Sequence, residues 1–218
     1  MKCFIGFVAE KESGKTTTFD FIKDQIHEAQ EIMLAEHLKE SCAKVFKLPL
    51  INFESQKEKE KPLNPSIILN RKDIMELGLL FEIELTEEDI SKHLNKELKT
   101  TRQVLQYVGT DIMRAIEDDI HLKWAMRRAP ESNLYVITDI RFPNEFDFFC
   151  KYQNFFPFYI DRKKERVNNE LTSHASESHI QELRKRCLAE IDNNHSLKDL
   201  KDQVESLIVP MVNRALKK

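Results

Sequence analysis

The chain has 218 residues, 41% hydrophobic and 33% charged, with a net charge of −3. That is enough apolar material for one α/β domain with a full core, and it excludes the low-hydrophobicity profile of a disordered chain. A slightly acidic balance argues against a general nucleic-acid binder, so no nucleic-acid polymer is expected as a partner.

Residues 3–8 (CFIGFV) form a short continuous apolar run, which predicts a strand buried on both faces of a parallel sheet. A loop follows, then a helix from about Gly14 to Ala29 with Phe19, Ile22, Ile26 and Ala29 at helical spacing. A short strand at Glu31–Leu34 leads into an amphipathic helix carrying Leu38, Cys42, Val45 and Phe46. The stretch 47–65, with three prolines and the charge run KEKEK, reads as an exposed, solvated connection. Thr86 and Asp89 have capping-box spacing, opening a helix expected to reach about Leu98, and a further helical region spans 100–129 with a break near Asp118. Strand signals return at 134–138, 155–160 and 188–191, alternating with helical patterns as in βαβ units. Ser196 and Asp199 cap a last helix whose apolar stripe is Leu197, Leu200, Val204, Leu207, Ile208 and Met211. Seven phenylalanines between Phe142 and Phe158 read as core around a buried strand.

The four cysteines form no CxxC pair and the seven histidines no HExxH spacing, so reduced thiols and no zinc cage are expected. The N-terminal apolar stretch is too short for a signal peptide and no run reaches membrane-spanning length. A cytoplasmic protein with no membrane partner follows.

After the first strand comes Ala9-Glu-Lys-Glu-Ser13-Gly14-Lys15-Thr16-Thr17. A Walker A loop, G-x-x-x-x-G-K-[ST], wraps phosphates in backbone N–H groups, with the lysine on the β/γ oxygens and the hydroxyl on magnesium. The following helix adds its positive N-terminal dipole. Ala9 stands where the first glycine belongs, and Glu12 adds negative charge. Yet two of the chain's four glycines, Gly6 and Gly14, fall in this strand–loop–helix unit. Ser13, Gly14, Lys15, Thr16 and Thr17 are the candidate ATP-binding residues. Asp139 ends the 134–138 strand, where a carboxylate beside a phosphate loop can hold the metal together with Thr16.

If the segment 100–114 is helical, Leu105, Val108, Ile112 and Ile116 make an apolar side, and Arg102, Gln106, Thr110 and Arg114 recur at steps of four on a polar one. Two arginines beside amide and hydroxyl groups suit a phosphate monoester and a base edge, and Gly109 would let a ligand approach the backbone. Trp124 and Tyr107 are candidates for stacking the base.

The segments LAEHLKESCAKVF (34–46), KEKEKP (57–62), TRQVLQYVGTDIMR (101–114) and TDIRFPNE (138–145) together resemble the bacteriophage deoxynucleoside monophosphate kinase family. His174, Ser176 and Glu177 and the closing Ile191-Asp-Asn-Asn segment are similar too, so the resemblance spans nearly the whole chain. It implies Mg2+- and ATP-dependent phosphorylation of a deoxynucleoside 5′-monophosphate, in the host cytoplasm if phage-encoded, by a nucleoside-kinase-like protein that is often a homodimer. It further implies Lys15 and Thr16 on ATP, Asp139 at the metal, and Arg102, Gln106, Arg114 and Arg141 near the acceptor, with Lys15, Asp139 and Arg141 catalytic.

The expected fold is a single three-layer α/β P-loop domain, its parallel five-stranded sheet ordered 2-3-1-4-5 with helices on both faces and a mainly helical insertion at about 48–130. Arg162 and Arg166, after the 155–160 strand, are candidates to close over ATP. The alternatives are a kinase of the same fold acting on another phosphorylated acceptor, such as dephospho-coenzyme A or phosphomevalonate, and a non-catalytic nucleotide-binding regulator.

Overall fold

A continuous apolar run can be buried only if both its edges and both its faces are covered, and Cys3–Val8 meets that condition at every position. The computed structural model describes residues 2–163 and 179–217. Arg166 and the His174, Ser176 and Glu177 segment lie outside the described residues. The chain divides into two compact units, residues 1–34 with 126–218, and residues 35–125.

The first unit contains β1 (Cys3–Val8), α1 (Lys15–Gln25) and β2 (Gln30–Ile32). The second holds α2 (Glu36–Val45), α3 (Ile51–Glu54), α4 (Gln56–Lys59), β3 (Pro62–Ile68), α5 (Arg71–Leu80), α6 (Glu87–His93), β4 (Glu97–Thr100) and α7 (Thr101–Gln106), which runs into a π-helical segment at Tyr107–Arg114. Helix α8 (Ile120–Arg128) carries the chain back to the first unit. There β5 (Leu134–Ile140), α9 (Pro143–Cys150), β6 (Phe155–Asp161), α10 (Ile180–Arg184), β7 (Ala189–Asp192), α11 (Leu197–Gln203), a π-helical segment at Val204–Ile208 and α12 (Val209–Leu216) complete it.

In the first unit the five strands lie in the order β2-β5-β1-β6-β7, and every neighbouring pair is parallel. Counted along the sheet unit alone this is 2-3-1-4-5, the order expected of a P-loop nucleoside-kinase-like fold. The pleat of β1 divides the core. Cys3, Ile5 and Phe7 join Ile22 of α1 and Leu200, Val204, Ile208 and Val212 of the C-terminal helices. On the other face Phe4 stacks on Tyr135 at 5.3 Å and meets Phe149 of α9 at 5.5 Å. Gly6 shares that face for a steric reason: a Cβ there would stand 2.6 Å from Ile140 Cδ1 and 2.7 Å from the Phe155 ring. Of the seven phenylalanines expected as core around a buried strand, Phe146, Phe149 and Phe158 are fully covered, while Phe142, Phe148, Phe155 and Phe156 are half-buried.

The second unit has its own apolar centre, built from Leu38, Cys42, Phe53, Leu77, Phe81, Val104, Val108 and Ile112 among others. Two expectations are corrected here. The supposed connection at 47–65 contains α3, α4 and the start of β3, and Lys59 of the charge run is buried. The helix opened by Thr86 stops at His93, because the chain turns at Asn95 in the left-handed region (φ 60°) and forms β4, antiparallel to β3. A two-stranded pairing of this kind is decided by a distant partner, not by local periodicity.

Two stripe positions also fall elsewhere. Leu197, at the first turn of α11, is 65% exposed, and Ile116, beyond the end of the π segment, is 37% exposed. The buried line of 101–114 instead runs through Val104, Val108, Ile112 and Met113.

Substituting Gly6 by alanine should lower the unfolding free energy by about 1–3 kcal/mol through overpacking against Phe155 and Ile140, read as a lower denaturant midpoint at unchanged slope. Acid sensitivity should come partly from the caps. In the capping boxes that open α6 and α11 the aspartate accepts a backbone N–H and a hydroxyl, Thr86 to Asp89 at 2.9 and 2.6 Å and Ser196 to Asp199 at 3.0 and 2.6 Å. The hydroxyl bond is the main cause holding each carboxyl below the usual aspartate range. A depressed folded-state pKa contributes stability that is present above the unfolded-state value and lost as pH falls through the folded one. Asp89→Asn and Asp199→Asn should therefore flatten the decline in thermal midpoint on the acid side of about pH 4.

Candidate active site

Parallel strands deliver their carboxyl ends to one edge of the sheet, and the loops leaving that edge carry the candidate residues of the first unit. The loop after β1 ends at Gly14, which caps α1 in the left-handed region at φ 96°. Glu12 is also left-handed, at φ 56°. Lys15 folds back along this loop, donating to the Glu10 carbonyl at 2.7 Å and lying 3.5 Å from the Ala9 carbonyl and 3.4 Å from Ser13 Oγ. Thr16 and Thr17 occupy the first turn of α1, Thr16 exposed. Ser13 and Ala9 are each 2% exposed, so the loop is seated in the sheet unit and not draped over it. Ala9 in place of glycine is accommodated as part of the β1 core cluster.

On the neighbouring strand, Asp139 accepts the Leu34 backbone N–H at 2.8 Å through Oδ1. Thr138 beside it donates to Glu31 Oε1 at 2.7 Å, fastening β2 to β5. Arg141 follows directly. Its backbone N–H and that of Phe142 both donate to the buried Glu145 carboxylate, at 2.8 and 3.0 Å, with Pro143 opening α9. This explains TDIRFPNE locally: proline presets the first turn, and the glutamate three residues on satisfies the N–H groups before it. From β6, Arg162 donates to the Glu12 carbonyl at 3.3 Å.

One contact at this edge was not legible in the sequence. Asn193, just after β7, donates from Nδ2 to the Ser13 carbonyl at 2.7 Å. An asparagine pair after a strand is a turn signal, but nothing local indicates that its amide reaches a loop 180 positions earlier.

The acceptor candidates lie in the second unit. Arg102 is ion-paired to Glu60 and donates to Gln56 Oε1 at 2.7 Å. Arg114, its side chain 7% exposed, pairs with Asp118 at 2.8 Å. Gln106 closes α7, and Thr110 lies in the π segment, both half-buried. In a π-helix each turn holds an extra residue. The angle between residues four apart therefore differs from that in a regular α-helix, which changes the slow drift expected of the stripe from Arg102 to Arg114. Gly109 is corrected: it is buried, a Cβ there would stand 2.6 Å from Leu38 Cδ2, and its carbonyl is bonded to His121 Nε2 at 3.0 Å. Its small size serves helix packing. Trp124 stacks on His37 at 4.0 Å and donates to the Phe81 carbonyl at 3.2 Å. Tyr107 is engaged through its hydroxyl with His93 Nδ1 at 2.9 Å, and burial pushes its pKa up.

Among the described residues no group of three His, Cys, Asp or Glu could cage a metal, and no helix is long and apolar enough to cross a membrane. Magnesium does not need such a cage, since it keeps waters and is held by one or two carboxylates plus substrate phosphates. Thr16, in the first turn of α1, and Asp139, near the end of β5, are a hydroxyl and a carboxylate, the donor types such an ion takes.

Among solved structures the chain is similar to TT1252 from Thermus thermophilus, at 15% identity over 96% of this chain and 97% of that one, with a TM-score of 0.47. It is similar to a dephospho-CoA kinase from Campylobacter jejuni at the same identity and coverage, 15%, 96% and 97%, with a TM-score of 0.42. No protein-family model and no curated protein matches the sequence.

Asp139→Asn keeps an oxygen for the Leu34 N–H while removing the charge. On the expectation from the sequence that Asp139 holds magnesium beside ATP, the variant's thermal midpoint should stay close to the parent's while magnesium-dependent binding of ATP weakens at least about tenfold. Equal magnesium titrations for the two proteins would move the metal role elsewhere.

Proposed function

We propose that the chain is a phosphotransferase that moves the γ-phosphoryl group of ATP to a deoxynucleoside 5′-monophosphate. The observation carrying this reading is the junction of β1 and α1: a left-handed Gly14 at a helix N-terminus, followed by a lysine lying along its own loop, with Asp139 on the adjacent strand. A helix N-terminus, where the positive end of the helix dipole lies, favours an anion. Lys15 can exchange the Glu10 and Ala9 carbonyls for phosphate oxygens, which bind an ammonium more strongly than neutral carbonyls do.

The deoxynucleotide acceptor rests on the sequence resemblance, supported by the arginines Arg102, Arg114 and Arg141. A phosphate-monoester acceptor is an anionic nucleophile near neutral pH and needs no general base. Its oxygen forms the new bond to phosphorus as the bond to the ADP oxygen breaks, and catalysis is alignment plus neutralisation of charge on the transferred group. Lys15 would neutralise that charge, and the arginines would orient the acceptor. Magnesium, held by Thr16 and Asp139, would contribute charge stabilisation at the phosphates. A cytoplasmic homodimer, as the resemblance implies, belongs to the same reading.

ADP release should appear with deoxynucleoside monophosphates and be absent with dephospho-coenzyme A or phosphomevalonate. Lys15→Ala should lower turnover by roughly 10²–10³-fold with the fold intact. Arg102→Met and Arg114→Met should chiefly raise the acceptor's KM, leaving that of ATP little changed. Turnover of Lys15→Ala at the parent rate would reject the phosphate-loop assignment, and a preference for another acceptor would reject the deoxynucleotide.

A further inference from the structure

A phosphate loop works through the direction of its N–H groups, and the direction of each is set by the peptide plane it belongs to. In a trans peptide the N–H of one residue points opposite to the carbonyl of the residue before it. Among the described residues the only cis bond is Asn64–Pro65. The Ser13 carbonyl therefore fixes where the Gly14 N–H points, and the Glu12 carbonyl does the same for Ser13. Both carbonyls are held by side chains from the segments just after other strands: Ser13 by Asn193 Nδ2 at 2.7 Å, and Glu12 by Arg162 Nη1 at 3.3 Å.

The stronger of these anchors is itself firmly mounted. The Asn193 backbone N–H donates to the Asp161 carbonyl at 2.8 Å, at the end of β6. Asn194 next to it bridges Asp161 Oδ2 at 3.2 Å and Asp192 Oδ1 at 2.6 Å, and accepts the Lys163 N–H at 2.5 Å. Gln203 of α11 brackets Asp192, donating to its carbonyl at 2.8 Å and accepting its N–H at 2.9 Å. With its backbone and both sequence neighbours held in this way, Asn193 has only its own side-chain torsions left to fix when its amide grips the loop. Gly14 completes the arrangement: a Cβ there would lie 2.2 Å from Asn193 Nδ2, so the glycine provides both the left-handed turn and the space for the anchor.

We infer that Asn193 is a positioning residue of the phosphate loop: by donating to the Ser13 carbonyl it turns the Gly14 N–H toward a bound polyphosphate chain. The inference rests on the phosphate-loop reading above. It also accounts for the residue type. An aspartate of the same shape would set a carboxylate against a buried carbonyl, and two acceptors facing each other repel.

The test uses the full chain and inorganic tripolyphosphate as the probe, with parent, Lys15→Ala, Asn193→Ala and Asn193→Asp compared well below their thermal midpoints. Asn193→Ala should bind tripolyphosphate about tenfold more weakly than parent, and Asn193→Asp more weakly still, the loss of one charge-assisted contact's alignment setting the scale. The Gly14 amide proton, readily resolved in a chain with four glycines, should move downfield on tripolyphosphate addition in the parent and much less in Asn193→Ala. If Lys15→Ala loses the probe while both Asn193 variants bind it as parent does, Asn193 has no positioning role and the phosphate-loop reading stands. If Lys15→Ala binds as parent does, the reading and the inference fall together. An unchanged Gly14 shift in a weakened Asn193→Ala would likewise overturn it, since the loss would then come from elsewhere.

Discussion

Burial of β1 on both faces and both edges is the constraint on which the first unit depends. A strand with no polar side must be flanked by other strands and covered on both faces, and here both neighbours run parallel to it. Because β5, β1 and β6 are parallel, their carboxyl ends emerge together. That common edge brings Lys15, Asp139 and Arg162 onto the same side of the sheet, though they come from sequence positions far apart. The apolar run thus determines the position of the polar chemistry.

The edge is held by hydrogen bonds that use side chains to control backbone. Glu145 captures the N–H groups of Arg141 and Phe142, Asp139 that of Leu34, Asn193 the carbonyl of Ser13 and Arg162 that of Glu12. A buried polar backbone group left unsatisfied would cost more than its bond returns, so each loop has one favoured path. The same economy explains why Ala9 is tolerated where glycine is usual. The residue is part of the core, and the turn's unusual conformations fall at Glu12 and Gly14 instead.

The second unit contrasts with this. Its candidate cations are committed to carboxylates, Arg102 to Glu60 and Arg114 to Asp118, whereas Lys15 lies on main-chain carbonyls. Binding a phosphate at either arginine means competing with a carboxylate already in place. Partial exposure of Glu60 and Asp118 keeps such pairs weak enough to exchange. The π-helical turn at 107–114 gives Arg114 a direction that a regular helix would not, and such turns recur at functional positions.

Period and spacing in the sequence determined the strands of the five-stranded sheet, the capping boxes of α6 and α11 and the strand–loop–helix with its glycine and lysine, because those signals are local: an apolar run, a serine or threonine three residues before an aspartate, a glycine where φ must be positive. The place of Asp139 near the end of β5 was legible for the same reason. Only the tertiary structure decided the rest. The β3–β4 pairing depends on a partner some thirty residues away. Gly109 packs against Leu38, the 100–114 helix changes its period, and Leu197 faces solvent because neighbours, not propensity, set burial at those positions. Asn193 reads in the sequence as an ordinary turn asparagine. Its grip on Ser13 exists because β7 joins the sheet beside β6 and delivers the amide to the loop after β1, a geometry that no local pattern encodes.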